Sequence, residues 1–314
     1  MPLAADPHSP DGPATPDAPL LHRVQVNGIT LAYFEWRAAL REAQPTLRDR
    51  QPTLLMVHAT GFHGRVWDSV IHRLPGRHVI AAEQRGHGRS EVADFDTWDA
   101  FGQDLSALAV HLGLQGAVGI GHSMGAYGLL RAAALQPGRF CQLILIDPVI
   151  LAPEHSQAQR PAQIELHPAA QRKNHFESAQ AMFERFAGRP PYAVFDRQAL
   201  RDYCEHGLKP ADHGPGYQLA CPPAFEAKVY PLARYNPAIH DDIRALNIPV
   251  LVLRARPQDP AIKPWDSLGT PTWPGLAAAL RHGRDLQLMD KTHMLPMEDP
   301  GLVARLIGEA LAAP

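Results

Sequence analysis

Short apolar runs alternating with amphipathic stretches constrain the fold of this chain more than any other feature. The runs are "TLLMVHA" (53–59), "HVIAAE" (78–83), "AVGIG" (117–121), "QLILID" (142–147), "PVLVLRA" (249–255) and "DLQLMD" (285–290). Several are apolar at consecutive positions rather than at every second one. That is the pattern of strands covered by helices on both faces. Segments 65–74, 97–112, 124–136, 273–282 and 299–312 lie between or after these runs and read as helices. The alternation predicts an α/β fold on a doubly wound, mostly parallel sheet.

The sheet is entered through "HRVQVNGITLAYFEW" (22–36), two alternating runs about Asn27-Gly28, a pair that signals a two-residue hairpin. Residues 1–20 are proline-rich and read as a disordered tail. Residues 151–235 break the β-α rhythm. They contain no parallel-strand pattern, yet "ESAQAMFERFAG" (177–188) and "DRQALRDYCEHG" (196–207) show helical spacing. In the second, Asp196 suits an N-cap and Gly207 a C′ position. The expected division is a core of 21–150 and 236–314 with a helical cap inserted at 151–235.

With 45% hydrophobic and 20% charged residues, the chain can bury a substantial core. A net charge of −2, with Lys and Arg scattered, argues against a nucleic-acid footprint. The N-terminal stretch has neither a basic nor an apolar region, and no run approaches the length of a membrane span. Cys141, Cys204 and Cys221 show no metal-ligand spacing and are expected to be free thiols. These features suit a cytoplasmic protein acting on a small molecule, with no cofactor or metal; a homodimer is compatible with them.

Gly121–Gly125, "GHSMG", matches G-x-S-x-G, directly after an apolar run and directly before an amphipathic helix. Glycines two before and two after Ser123 permit close strand-helix approach around an exposed nucleophile. A dinucleotide turn is the rival reading, since Gly119 and Gly121 begin G-x-G-x-x-G. Met124 stands where the third glycine is needed.

A nucleophilic serine needs a base and an orienting acid. Among seventeen histidines, His293 follows the last apolar run, where catalytic groups gather in open α/β sheets. Asp259, in the loop after "PVLVLRA", is the preferred acid. Asp147, at the end of "QLILID", is the alternative. Backbone N–H groups of Thr60, in "VHATGFHG" (57–64), and of Met124 are the expected oxyanion donors.

Together "VHATGFHGRVWD", "EQRGHGRS", "GHSMG", "PVLVLRARPQDP" and "HMLPMEDP" resemble the α/β-hydrolase superfamily, over about residues 21–150 and 236–314. The resemblance implies Ser123 as nucleophile, His293 as base, Asp259 as acid, and oxyanion N–H groups at Thr60 and Met124. His58-Ala59 stands where many members have His-Gly, Glu83 replaces an Asp, and Ala255 replaces a common Gly. A serine nucleophile speaks against the haloalkane dehalogenases and epoxide hydrolases of this fold, which use Asp.

The activity so implied is hydrolysis of a small ester, thioester or lactone. The alternatives are carbon-carbon bond hydrolysis, lyase or perhydrolase chemistry at the same site, or non-catalytic ligand binding. Phe176, Phe183, Phe186, Tyr192, Phe195, Tyr203, Tyr217, Phe225 and Tyr230 together suit an apolar pocket, and "RKNHF" (172–176) and "EHGLKPADH" (205–213) add groups able to recognise a carboxylate or a carbonyl.

Overall fold

The computed structural model describes residues 18–42, 51–159, 165–262 and 268–312. Asn27 and Gly28 have φ of 51° and 77°, the two positive values a type I′ hairpin turn requires. They join β1 (Leu20–Val26) to β2 (Ile29–Trp36) in antiparallel register, with Val26 opposite Ile29. The expected tail of 1–20 lies outside the described residues up to 17, and Leu20 already belongs to β1.

The remaining strands of the main sheet are β3 (Leu54–Val57), β4 (Val79–Glu83), β5 (Ala117–His122), β6 (Phe140–Ile146), β10 (Val250–Arg254) and β11 (Gly283–Gln287). Their order is β1-β2-β4-β3-β5-β6-β10-β11. Pairings β1–β2 and β2–β4 are antiparallel, and the others are parallel. This is the doubly wound sheet expected from the run pattern.

Consecutive apolar residues in the runs serve two separate cores. Leu55 and Val57 of β3 face one, and Leu54 and Met56 face the other. Leu143 and Leu145 of β6 likewise oppose Ile144 and Ile146. Successive strand side chains point to opposite faces, so both must be covered. Helices α1 (Asp99–His111) and α2 (Met124–Leu135) cover the first face, and α7 (Pro300–Ala312) the second. The expected helix 273–282 contracts to one turn, Leu276–Ala279, because the last strand begins at Gly283.

Between β6 and β10 runs a long excursion. It contains α3 (Ala179–Phe186), α4 (Arg197–His206) and α5 (Pro223–Leu232), before α6 (Ile239–Ala245) returns the chain to the sheet. Ser178 Oγ caps α3 at Ala181 N, and Asp196 Oδ1 caps α4 at Gln198 N and Ala199 N. Gly207 ends α4, but with φ −85° rather than a left-handed value; a Cβ there would meet Tyr203 O at 2.5 Å.

The excursion is not purely helical. Strands β7 (His175–Phe176), β8 (Leu208–Pro210) and β9 (Tyr217–Leu219) form a small antiparallel sheet in the order β7-β9-β8. Strands of two or three residues are too short to show a period. Cys141 is exposed, Cys204 and Cys221 are buried, and all three are free. No helix among the described residues is long and apolar enough to cross a membrane.

Candidate active site

β5 ends at His122, and Ser123 turns the chain into α2 with φ 57° and ψ −118°. A left-handed value at a non-glycine residue is strained. It persists because the surrounding backbone is locked. A Cβ on Gly121 would lie 2.5 Å from Ala126 Cα, and one on Gly125 would lie 2.5 Å from both Val57 O and His58 O. The two glycines allow α2 to close against β5 and β3, which presents Ser123 at the C-terminal edge of the sheet.

His293 lies in the loop after β11. Its Nε2 accepts from Ser123 Oγ at 3.1 Å, and its Nδ1 donates to Asp147 Oδ2 at 2.6 Å. His122 Nε2 donates to His293 O at 2.7 Å and fixes the loop from below. Asp147 immediately follows β6, has φ 47°, and is fully buried. Burial pushes its carboxyl upward. Hydrogen bonds from His293, Thr270 Oγ1 and the Ala255 N–H, with the charge on His293, more than offset this and hold it below the usual carboxylate range.

Asp259, the acid preferred from sequence, is therefore corrected by the structure. It is solvent-exposed, and its Oδ1 accepts from Ala261 N at 2.9 Å in a local turn. The physical reason lies in the strand ends. β6 sits directly beside β5, so a residue just past Ile146 is next to the serine turn, and the left-handed backbone of Asp147 aims its carboxylate at the imidazole. The chain beyond β10 instead runs outward through seven consecutive exposed residues, 256–262.

The loop after β3 carries Thr60, one of the two residues expected from sequence to face an oxyanion. Gly61 N–H donates to His87 Nε2 at 3.0 Å, and Phe62 N–H donates to Ala59 O at 3.2 Å. Of the three amides in residues 60–62, only that of Thr60 has no acceptor among the described residues. Met124 opens α2, so its amide has no intrahelical partner. Thr60 Oγ1 donates to Met124 Sδ at 3.4 Å, which ties the two positions together.

Buried histidines brace this region as neutral rings. His58 Nδ1 donates to Ala59 O while Nε2 accepts from Gln84 N; His87 Nδ1 donates to Arg85 O. Burial lowers the pKa of His87 to about 4 and, with the nearby His293, that of His122 to about 3. Glu83 accepts from the N–H groups of Gly64 and Arg89 and binds the loops after β3 and β4 to each other.

Ser123, His293 and Thr60 open into a cavity of about 1410 Å³. Its roof comes from the excursion. Phe186 stacks on Tyr192 at 4.3 Å and Tyr192 on Tyr203 at 5.2 Å, and Phe62 reaches up to Tyr203 at 5.1 Å. Inside this aromatic wall Arg172 donates through Nη1 to Glu226 Oε2, and through Nη2 to the hydroxyls of Tyr192 (2.8 Å) and Tyr203 (2.9 Å). Tyr230 OH donates to Glu226 Oε1 at 3.2 Å. Burial first, with the Glu226 carboxylate adding to it, pushes the phenols of Tyr192, Tyr203 and Tyr230 upward against the opposing pull of Arg172, so all three remain protonated donors.

The Arg172–Glu226 pair packs on the Thr60 loop: a Cβ on Gly61 would lie 2.7 Å from Glu226 Oε1 and 3.4 Å from Arg172 Nη1. Arg172 lies in a polar stretch that stands out in the sequence, whereas Glu226 occupies an ordinary helix position with no local signal.

A family model described as "Alpha/beta hydrolase family" matches residues 54–306. Lipase LipV of Mycobacterium tuberculosis is 38% identical over 100 residues, covering 31% of this chain and 37% of the lipase. A 2-(acetamidomethylene)succinate hydrolase of Mesorhizobium japonicum is 30% identical over 168 residues, 52% of this chain and 57% of that protein. The chain thus aligns with between about a third and just over half of these relatives' length. The crystal structure of E-2-(acetamidomethylene)succinate hydrolase superposes with a TM-score of 0.70 at 21% identity, covering 94% of this chain and 100% of that one. At that identity the likeness is one of fold.

Proposed function

Because the chain belongs to the alpha/beta hydrolase family, we propose that it is a serine hydrolase cleaving a small-molecule carboxylic ester, thioester or lactone through an acyl-enzyme. The observation that carries this reading is the unbroken hydrogen-bond chain from Ser123 through His293 to Asp147 at the floor of the cavity. The curated relatives, a lipase and a 2-(acetamidomethylene)succinate hydrolase, support hydrolysis as the reaction class.

In this mechanism Ser123 Oγ attacks the carbonyl carbon as its proton passes to His293 Nε2. Asp147 holds the ring in the productive tautomer and stabilises the imidazolium. The oxyanion that forms takes hydrogen bonds from the amides of Thr60 and Met124. Collapse breaks the bond to the leaving group, which receives the proton from His293. Water then attacks the acyl-serine, gives a proton to the same nitrogen, and releases the acid and Ser123. The excursion over residues 151–235 acts as the cap that shapes the acyl and leaving-group space.

A labelled fluorophosphonate, followed by peptide mapping, tests the assignment. Labelling is expected at Ser123 alone. Ser123→Ala is expected to lose both the label and turnover of short aryl esters while melting at the wild-type temperature. Full esterase activity in Ser123→Ala defeats the reading.

A further inference from the structure

The charges that line the cavity run opposite to those of the chain. The protein carries a net charge of −2. Yet Arg172, Lys173, Arg185, Arg189 and Arg254 line the cavity, against Glu226 as its only lining carboxylate among the described residues. Two of the five cations are already neutralised. Arg172 is paired with Glu226, and Arg254 makes a two-pronged bond to Asp285 at 2.7 Å on each arm.

Lys173, Arg185 and Arg189 remain without a carboxylate partner among the described residues. Lys173 Nζ lies 5.2 Å from the centre of the Phe176 ring, a contact that leaves its charge uncompensated. All three belong to the excursion: Lys173 precedes β7, Arg185 occupies the last turn of α3, and Arg189 follows that helix. They are exposed side chains on the cavity wall, whereas the Ser123–His293 pair lies buried or half-buried at its floor.

Cavity size points the same way. Its volume of about 1410 Å³ exceeds the range of roughly 300–1,000 Å³ usual for small-molecule sites. A short neutral ester fills only part of such a space. A substrate with its scissile carbonyl at Ser123 and a second group some distance away can fill the rest.

We infer that the substrate carries an anionic group, carboxylate or phosphate, held by Lys173, Arg185 and Arg189 at a distance from the bond that is cleaved. This rests on the hydrolase reading above. The three cations raise the local concentration of an anion at the cavity and orient it with its carbonyl end inward. That effect weakens as salt screens it. The net-negative remainder of the surface disfavours anions elsewhere, which sharpens the gradient toward the cavity.

The 4-nitrophenyl ester of adipic acid, with its free carboxylate, is compared with its methyl-capped counterpart of equal length. At about 10 mM salt the wild type is expected to prefer the charged ester by about tenfold in kcat/KM, a margin that shrinks at about 0.5 M. In Lys173→Gln/Arg185→Gln/Arg189→Gln the preference is expected to fall to near unity. It is expected to persist in Arg305→Gln, a charge change on α7 outside the cavity lining. Acetyl-coenzyme A against the neutral thioester of N-acetylcysteamine forms a second arm. A preference only there assigns the anion as phosphate, and one only in the first arm assigns it as carboxylate.

Absence of any charge preference in the wild type, or its survival in the triple variant, overturns the inference. If no substrate turns over and fluorophosphonate leaves Ser123 unlabelled, the hydrolase reading has failed instead. Calorimetric titration with adipate then decides the anion site separately. Binding lost in the triple variant upholds it, and no binding to the wild type removes it.

Discussion

His293 Nδ1 lies 2.6 Å from Asp147 Oδ2, on the opposite edge of a ring whose Nε2 faces Ser123 Oγ at 3.1 Å. A carboxylate at Nδ1 fixes the proton there and leaves Nε2 free to accept. In Asp147→Asn the amide can present an N–H to the same nitrogen and favour the unproductive tautomer. The expected result is a loss of about 10³- to 10⁴-fold in kcat on a short aryl ester, with KM little changed. Asp259→Asn, an exposed position bonded among the described residues to its own turn, is expected to stay within about twofold of wild type. Steady-state kinetics of both variants decide the matter; a large loss in Asp259→Asn alone returns the role to that residue.

Glycine at position 125 is demanded by contact with β3 rather than by its own φ. Gly125→Ala drives a Cβ to 2.5 Å from two backbone carbonyl oxygens, neither of which can rotate away. Relief requires shifting α2 from β3, at a cost of about 3 kcal/mol or more, together with misplacement of Ser123. Gly308, in α7, provides the contrast, since nothing lies within 4 Å of its added Cβ. Gly308→Ala is expected to stabilise by about 0.5–1 kcal/mol through helix propensity. Urea midpoints at unchanged slope measure both, and equal effects in the two variants contradict the steric account.

Four histidines at the heart of the site make stability fall in acid. Burial lowers the pKa of His58 and His63 well below the usual value, that of His87 to about 4 and that of His122 to about 3. Unfolded, each ring titrates near 6.5. Below that pH the unfolded chain binds protons that the folded chain refuses, so stability is complete above about 6.5 and declines as pH falls. Each ring contributes about 1.4 kcal/mol per pH unit inside its window. Urea unfolding at about pH 7 and about pH 5 is expected to differ by several kcal/mol, with a shallower slope in His122→Gln. A flat profile across that range argues that the rings are already charged in the fold.

Ser123 and His293 were legible because their signals are local. One sits in a glycine-spaced strand-helix junction and the other just past the last apolar run. The placement of Thr60 and Met124 next to each other was legible for the same reason, being tied to the ends of β3 and β5. The acid was not. Chain order places both Asp147 and Asp259 after a strand and before His293. What separates them is a φ of 47° at Asp147 and the lateral order of strands, neither of which leaves a mark in composition or period. The Arg172–Glu226 pair was hidden more deeply, since its members are 54 residues apart and meet only because the excursion folds back over the Thr60 loop.

That pair supplies a last expectation. Arg172 is enclosed by Glu226, Tyr192 and Tyr203, and the surrounding negative charge and phenols hold its guanidinium firmly protonated despite burial. Glu226→Gln removes the only carboxylate that compensates it among the described residues and leaves a buried cation. Breaking such a pair from one side costs about 3 kcal/mol here, at the low end for buried pairs because part of the Arg172 side chain reaches solvent. Replacing both partners, Arg172→Met with Glu226→Gln, removes the unpaired charge and is expected to recover most of that loss. A double-mutant cycle in urea measures the coupling. The Glu226→Gln single variant is also expected to loosen the Gly61 loop and lower kcat for the same ester, since Glu226 packs directly against that loop. Additive effects in the cycle, or an unchanged kcat in Glu226→Gln, show that the roof and the oxyanion loop are independent of one another.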